Sequence, residues 1–123
     1  MDLTHIHAFV AAMQRKDLDA MLDHMADGIV LNTPLVADPV EGKAAIRQVV
    51  VPLLRLVDRF DFREVMEGPR HVSSFFTIAV GPLAADGMDF WRLDEAGLIA
   101  EMTVLWRPLP VAAAIAHQLT EAA

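Results

Sequence analysis

The chain has 123 residues, of which 54% are hydrophobic and 22% charged, with a mean hydropathy of +0.37 and no cysteine. That length and apolarity suit one packed domain over residues 1–123 and exclude a disordered chain, disulfides, a thiol nucleophile and thiolate metal sites. A formal net charge of -7 without any Lys/Arg cluster argues against nucleic acid and anionic membrane surfaces as partners, because counterion release cannot draw so acidic a chain onto phosphate.

Ile6, Phe9, Val10 and Met13 recur on one helical face and predict a first helix. Its surroundings, MDLTHIHAFVAAMQRKD, have neither a basic start nor a continuous apolar run, so no secretory leader is expected and a cytoplasmic location is. Asp17 is placed to cap a second helix, with Asp19 near its positive dipole end. Leu18, Met21, Leu22 and Met25 form the apolar stripe, and Gly28 is expected to stop the helix. A short strand from Ile29 to Asn32 follows. The next stretch, TPLVADPVEG, carries the prolines and glycine of an irregular loop. A third helix is expected to start at Gly42 or Lys43 and to turn Ile46, Val49, Val50, Leu53, Leu54 and Val57 to one side. Pro52 lies inside it and predicts a kink or two abutting pieces.

The period then changes from helix to strand. FDFREVME alternates and puts Phe60, Phe62 and Met66 on one face. From His71 to Val80 both faces are largely apolar, as in a strand covered on both sides. GPLAADG reads as a turn-rich connection. MDFWRLDEAGLIAEMTVLW reads as two strands joined at DEAG. Pro108 and Pro110 end the last strand, and Pro110 is placed to open a final helix through Gln118. No apolar stretch approaches the roughly 20 residues of a membrane span.

Helices followed by a run of strands predict an α+β fold, with the helices on one face of an antiparallel sheet. A curved sheet wrapped on its helices leaves a cavity at the open end, where a small hydrophobic molecule is the expected partner.

The element order resembles the nuclear transport factor 2-like superfamily, which includes ketosteroid isomerases and SnoaL-type cyclases. The stretch FVAAMQRKDLDAMLDHMADG is similar to the paired first helices of the isomerases, GKAAIR to the start of their third helix, and DFWRLDEAGLIAEM to their late hairpin. The resemblance implies a cone-shaped curved antiparallel sheet wrapped on N-terminal helices, of cystatin-like fold. It also implies a homodimer through the sheet and acid–base chemistry without a cofactor. Ketosteroid isomerases use a base Asp, a Tyr and a protonated Asp that stabilise a developing oxyanion. The matching stretches put Thr33 at the base position, Phe9 at the Tyr position and Asp89 at the protonated acid. Limonene epoxide hydrolases carry an Asp just after a Trp-Arg pair, whereas here Pro108 follows Trp106-Arg107. The cyclases use an Asp base in the same kind of pocket, a role open to Asp89.

Alternation puts Asp89 on one strand face with Trp91 and Leu93. An acid turned to an apolar cavity loses hydration, and its pKa is expected to rise. The alternative for Asp89 is a solvent-facing acid beside the turn residue Gly87. Trp106 shares its face with Met102 and Val104. Phe9, Met13 and Met21 complete the expected pocket wall. For these apolar residues, plain core packing and ligand contact are overlapping readings. Asn32 and Thr33 can hydrogen-bond a ligand carbonyl, or serve the turn before Pro34. Asp38 is a loop acid that can either reach the pocket mouth or stay solvated.

There are five histidines. His5 and His7 fall on different helical faces, His24 lies off the stripe, and His71 begins a strand. No ligand spacing links them, and no metal site or cofactor is expected. Arg92 and Glu101 suit a cross-strand pair on an outward face that also carries Phe90, Ile99, Thr103 and Leu105. The functional expectation is an isomerase-, cyclase- or dehydratase-like pocket protein with Asp89 as its acid–base group. The alternative is a binding or accessory module without chemistry.

Overall fold

The structure is a computed structural model that describes residues 1–122. Its elements run α1 (Thr4–Gln14), α2 (Leu18–Asp23), β1 (Met25–Asn32), β2 (Val40–Glu41), α3 (Lys43–Leu56), β3 (Arg59–Glu67), β4 (His71–Val80), β5 (Leu83–Leu93), β6 (Ile99–Arg107) and α4 (Leu109–Ala122). The strands form one curved, unclosed sheet in the order β2-β1-β6-β5-β4-β3. The α+β expectation holds. The sheet is mixed rather than purely antiparallel, however, because β1 pairs parallel with β6. Those two strands are far apart in sequence, and the connection between them crosses the remaining sheet.

Local chemistry accounts for most boundaries. The Asp17 carboxylate accepts a hydrogen bond from the Ala20 amide at 3.1 Å and so starts α2. This helix ends before His24, earlier than Gly28, and Met25 is already the first residue of β1. Strand pairing with β6 has captured the segment predicted to be the helix end. Gly42 stands at the start of α3 with φ +86°, a left-handed value that favours glycine, and its amide donates to the Ile29 carbonyl at 2.9 Å. The irregular loop is interrupted there by the two residues of β2. Helix α3 continues through Pro52 as one element, so the two-piece alternative does not hold.

Two irregularities change which side chains point inward. In β3, Phe62 pairs with Phe76 but Glu64 pairs with Phe75, so Arg63 is an extra residue on that strand. Phe60 and Phe62 face the core, while beyond the bulge Val65 turns inward and Met66 is exposed, contrary to the simple alternation. In β6, Glu101 pairs with Arg92 and Ile99 with Leu93, leaving Ala100 as the extra residue. Ile99 is therefore fully buried instead of lying on the outward face.

The predicted GPLAADG connection shrinks to a turn at Gly81 and Pro82, because Val80 already pairs with Leu83. The other hairpin turns at DEAG as expected: the Asp94 carboxylate accepts from the amides of Ala96 at 2.9 Å and Leu98 at 3.0 Å. On β4 the even positions from Val72 to Val80 are buried, and the odd ones are only half-covered by this chain. Its expected double coverage is thus partial.

The core lies between the inner sheet face and α1, α2 and α3. Ile6, Phe9, Met21, Ile29, Ile46, Phe76, Ile78 and Trp91 fill it. Ile115 of α4 is fully buried as well. Among the described residues, no helix is long and apolar enough to cross a membrane.

Candidate functional site

Three rungs of the inner sheet face define the site. Across β4, β5 and β6 they read Phe76–Gly87–Trp106, Ser74–Asp89–Val104 and Val72–Trp91–Met102. Met102 in turn faces Leu31 of β1. Gly87 is a mid-strand residue, not part of a turn. A Cβ there would come within 2.1 Å of the Phe76 ring, so the ring lies directly over the glycine. This close approach packs an aromatic wall beside Asp89.

Asp89 is 0% exposed, and neither carboxyl oxygen has a hydrogen-bond partner. Its cross-strand neighbour Ser74 is also fully buried, but the Ser74 hydroxyl donates to the Glu64 carbonyl at 2.7 Å. That bond satisfies a carbonyl beside the β3 bulge. The neighbour on the other side, Val104, has nothing polar to offer. Desolvation therefore pushes the Asp89 carboxyl well above the ordinary carboxylate range, towards the neutral acid. A neutral carboxyl in apolar surroundings can donate one hydrogen bond and accept others.

A cavity of about 50 Å³ opens between the helices and this face. Phe9, Met13 and Met21 line it from α1 and α2, Ile46, Val50 and Leu53 from α3, and Met102, Val104 and Trp106 from β6. Thr33 and Leu35 approach it from the loop after β1. The Thr33 hydroxyl accepts from the Leu35 amide at 3.2 Å, which leaves its own proton free to donate. Such a volume holds a few water molecules, whereas drug-sized ligands occupy about 300–1,000 Å³. Binding a ring would require the Met and Leu side chains to part.

Phe9, Met13, Met21, Thr33, Met102 and Trp106 are thus brought together around one cavity. Asp89 and Trp91 share the inner face but sit behind the lining. Trp91 is fully buried and meets Phe9 edge to face, with ring centroids 6.1 Å apart. Asn32 does not belong to this group. Strand alternation turns Leu31 inward and Asn32 outward, where its amide donates to the Thr103 hydroxyl at 3.1 Å. The expected ligand contact of Asn32 is therefore corrected to an outer-face bond. Val104 and the α3 side chains also line the cavity, although the sequence marked them only as sharing the Trp106 face and as one helical stripe. The same 3.6-residue stripe marks both a core face and a cavity wall, and only the packing tells them apart.

Two further polar atoms are buried without partners, the indole nitrogens of Trp91 and Trp106. No group of three or more His, Asp or Glu side chains suited to a metal ion occurs among the described residues. His5 and His24 meet with their Nδ1 atoms 2.9 Å apart and tie α1 to the end of α2. Arg92 and Glu101 form the expected cross-strand pair at 3.6 Å.

A cone-like α+β scaffold, with helices packed on a curved and unclosed sheet, is that of the nuclear transport factor 2-like superfamily. The chain belongs within it to the SnoaL-like domain family, whose model matches residues 6–102. Solved structures agree at the level of fold. A steroid delta-isomerase from Pseudomonas aeruginosa is 21% identical, with a TM-score of 0.82 over 96% of this chain and 90% of that one. A protein of cystatin-like fold from Silicibacter pomeroyi is 23% identical, with a TM-score of 0.81 over 97% and 87%. TerC, co-crystallised with polyporic acid, is 20% identical, with a TM-score of 0.76 over 97% of both chains. No curated protein matches the sequence.

Proposed function

We propose that the chain binds a small hydrophobic, carbonyl- or ring-bearing molecule and acts on it by acid–base chemistry without a cofactor, with Asp89 as the acid. The observation that carries this reading is a fully buried carboxyl with no protein partner, beside an apolar cavity. Isolating such a group costs free energy that plain packing would avoid. The cost is recovered when a ligand oxygen takes the Asp89 hydrogen bond. As negative charge develops on that oxygen, the bond strengthens, which is the requirement for lowering a barrier. In enolisation, the carbon next to the carbonyl loses a proton to a water-borne base while the oxygen gains the Asp89 proton. Reversal at another carbon gives an isomer. The steroid delta-isomerase and TerC share this fold, and the names of both are in keeping with small organic ligands.

The test uses 2-tetralone in D2O and follows loss of its α-proton signals by NMR. Wild-type protein should accelerate exchange, and Asp89→Asn should slow it by about 100-fold or more. Equal rates would remove Asp89 from the chemistry. A second reading, a binder without chemistry, is favoured by one observation: among the described residues no ionisable side chain lines the cavity, so none of them brings a base to it. Saturable binding of 2-tetralone with no exchange would establish that reading.

The outer sheet face supports a homodimer. Phe90 and Leu105 are 47% and 63% exposed there, next to half-buried Phe75 and Met88, and the Arg92–Glu101 pair flanks them. The compartment proposed for the protein is the cytoplasm, in keeping with a cysteine-free chain.

A further inference from the structure

Among the described residues, the buried side-chain nitrogen and oxygen atoms that lack partners are Asp89 Oδ1 and Oδ2, Trp91 Nε1 and Trp106 Nε1. All three residues lie on the three adjoining inner-face rungs. An indole nitrogen only donates. Leaving a buried donor unpaired costs about 1–3 kcal/mol, and a phenylalanine would fill most of the same space without that cost. Packing alone therefore gives no reason for an indole at either position. Of the two, Trp106 touches the cavity and Trp91 lies behind it, against Phe9. No polar group competes for the Trp106 donor: its cross-strand neighbour is Gly87, and Phe76 and Val104 flank it. Thr33, at the loop end of the cavity, also has its hydroxyl proton free.

We propose that the Trp106 indole N–H is a specificity-determining hydrogen-bond donor of the cavity, so that the site selects ligands with an exposed acceptor oxygen, such as aryl or cyclic ketones, over hydrocarbons of the same shape. The proposal rests on the reading of the cavity as a ligand site, but not on proton transfer by Asp89. Trp106 places the ligand oxygen, and Phe9, which has no hydroxyl, lines the same cavity as apolar wall.

The test compares acetophenone with α-methylstyrene, in which a CH2 group replaces the carbonyl oxygen. Dissociation constants for both are measured on wild-type protein and on Trp106→Phe. The ratio of the two constants cancels general hydrophobicity and any loosening of the variant. The ratio should move against the ketone by about 5–10-fold in Trp106→Phe, the value of one hydrogen bond of about 1–1.4 kcal/mol. A second measurement needs no variant protein for its main readout. The chain has two tryptophans, so 15N-labelled protein gives two indole signals. The Trp106 signal should shift with acetophenone and stay in place with α-methylstyrene. An unchanged ratio, or equal shifts with both probes, overturns the proposal. If Asp89→Asn abolishes exchange of 2-tetralone while the Trp106 ratio stays constant, the acid reading survives and this one falls. A shifted ratio without any exchange gives the reverse. Absence of binding by both probes overturns this proposal and the cavity reading together.

Discussion

Ser74 lies directly opposite Asp89 on the neighbouring strand, yet its hydroxyl is committed to the Glu64 carbonyl 2.7 Å away. The one polar side chain in register with the acid is thus spent on the bulge of β3. Ser74 therefore makes no hydrogen bond to Asp89, and burial without a partner raises the pKa of the acid.

The first prediction concerns pH and stability. Burial raises the folded-state pKa of Asp89 above its unfolded value of about 3.9. The unfolded chain then gives up this proton at lower pH than the folded one. The contribution of Asp89 to stability is complete below the unfolded pKa and is lost as pH rises through the folded pKa. The loss runs at up to about 1.4 kcal/mol per pH unit between the two values. Asp89→Asn cannot ionise, so relative to wild type it should gain stability as pH rises from the unfolded pKa to the folded pKa, and the difference should level off above that. Urea unfolding across that range measures the difference. A difference that stays constant with pH would mean that Asp89 ionises normally in the folded protein.

The second prediction concerns Gly87. A methyl group there would collide with the Phe76 ring, which a β-carbon would meet at 2.1 Å. Phe76 is almost fully buried and cannot swing away freely. Gly87→Ala should destabilise the protein by about 1–3 kcal/mol through overpacking. Gly87→Ala should cost less in a Phe76→Leu background than in wild type, so a double-mutant cycle in urea should give a double-mutant loss smaller than the sum of the two single losses.

These two positions also show how far the sequence could be read. The helix stripes, the Asp17 cap and the DEAG turn follow from local period and turn chemistry, and they survive folding; period also set Asp89 and Trp91 on one face, but only the family resemblance favoured the inward side for them. Met66 and Ile99 were misplaced because one extra residue in each strand pair inverts the faces beyond it. Nothing in FDFREVME marks Arg63 as the extra residue. The site was legible as a set of residue types, since Asp89, Trp91 and Trp106 stand in alternating strands. Its small cavity volume was not, because it depends on how far the flexible side chains of Met13, Met21 and Leu53 close over it.

The third prediction concerns assembly. Leu105 and Phe90 stand on the outer sheet face, where His71 stacks on Phe90 with ring centroids 4.4 Å apart. A dimer through this face would bury both. Sedimentation should show a dimer for wild type, and Leu105→Asp with Phe90→Arg should shift it to monomer while the circular dichroism of the fold is kept. A wild-type monomer at tens of micromolar would refute this interface.

The fourth prediction uses the other neighbour of Asp89. Val104 faces it across β5 and β6 and offers no hydrogen bond. Threonine has the shape of valine with a hydroxyl in place of one methyl group. In Val104→Thr that hydroxyl can donate to the ionised carboxylate, which favours the charged form and lowers the folded pKa. The pH window over which Asp89 loses its contribution then narrows from its upper end. The Asp89 carboxyl 13C titration should move to lower pH than in wild type. If Asp89 is the acid in 2-tetralone exchange, the alkaline limb of the rate profile should move the same way, since activity needs the protonated form. A carboxyl midpoint that moves down while the rate profile stays fixed would assign the acid step to another group.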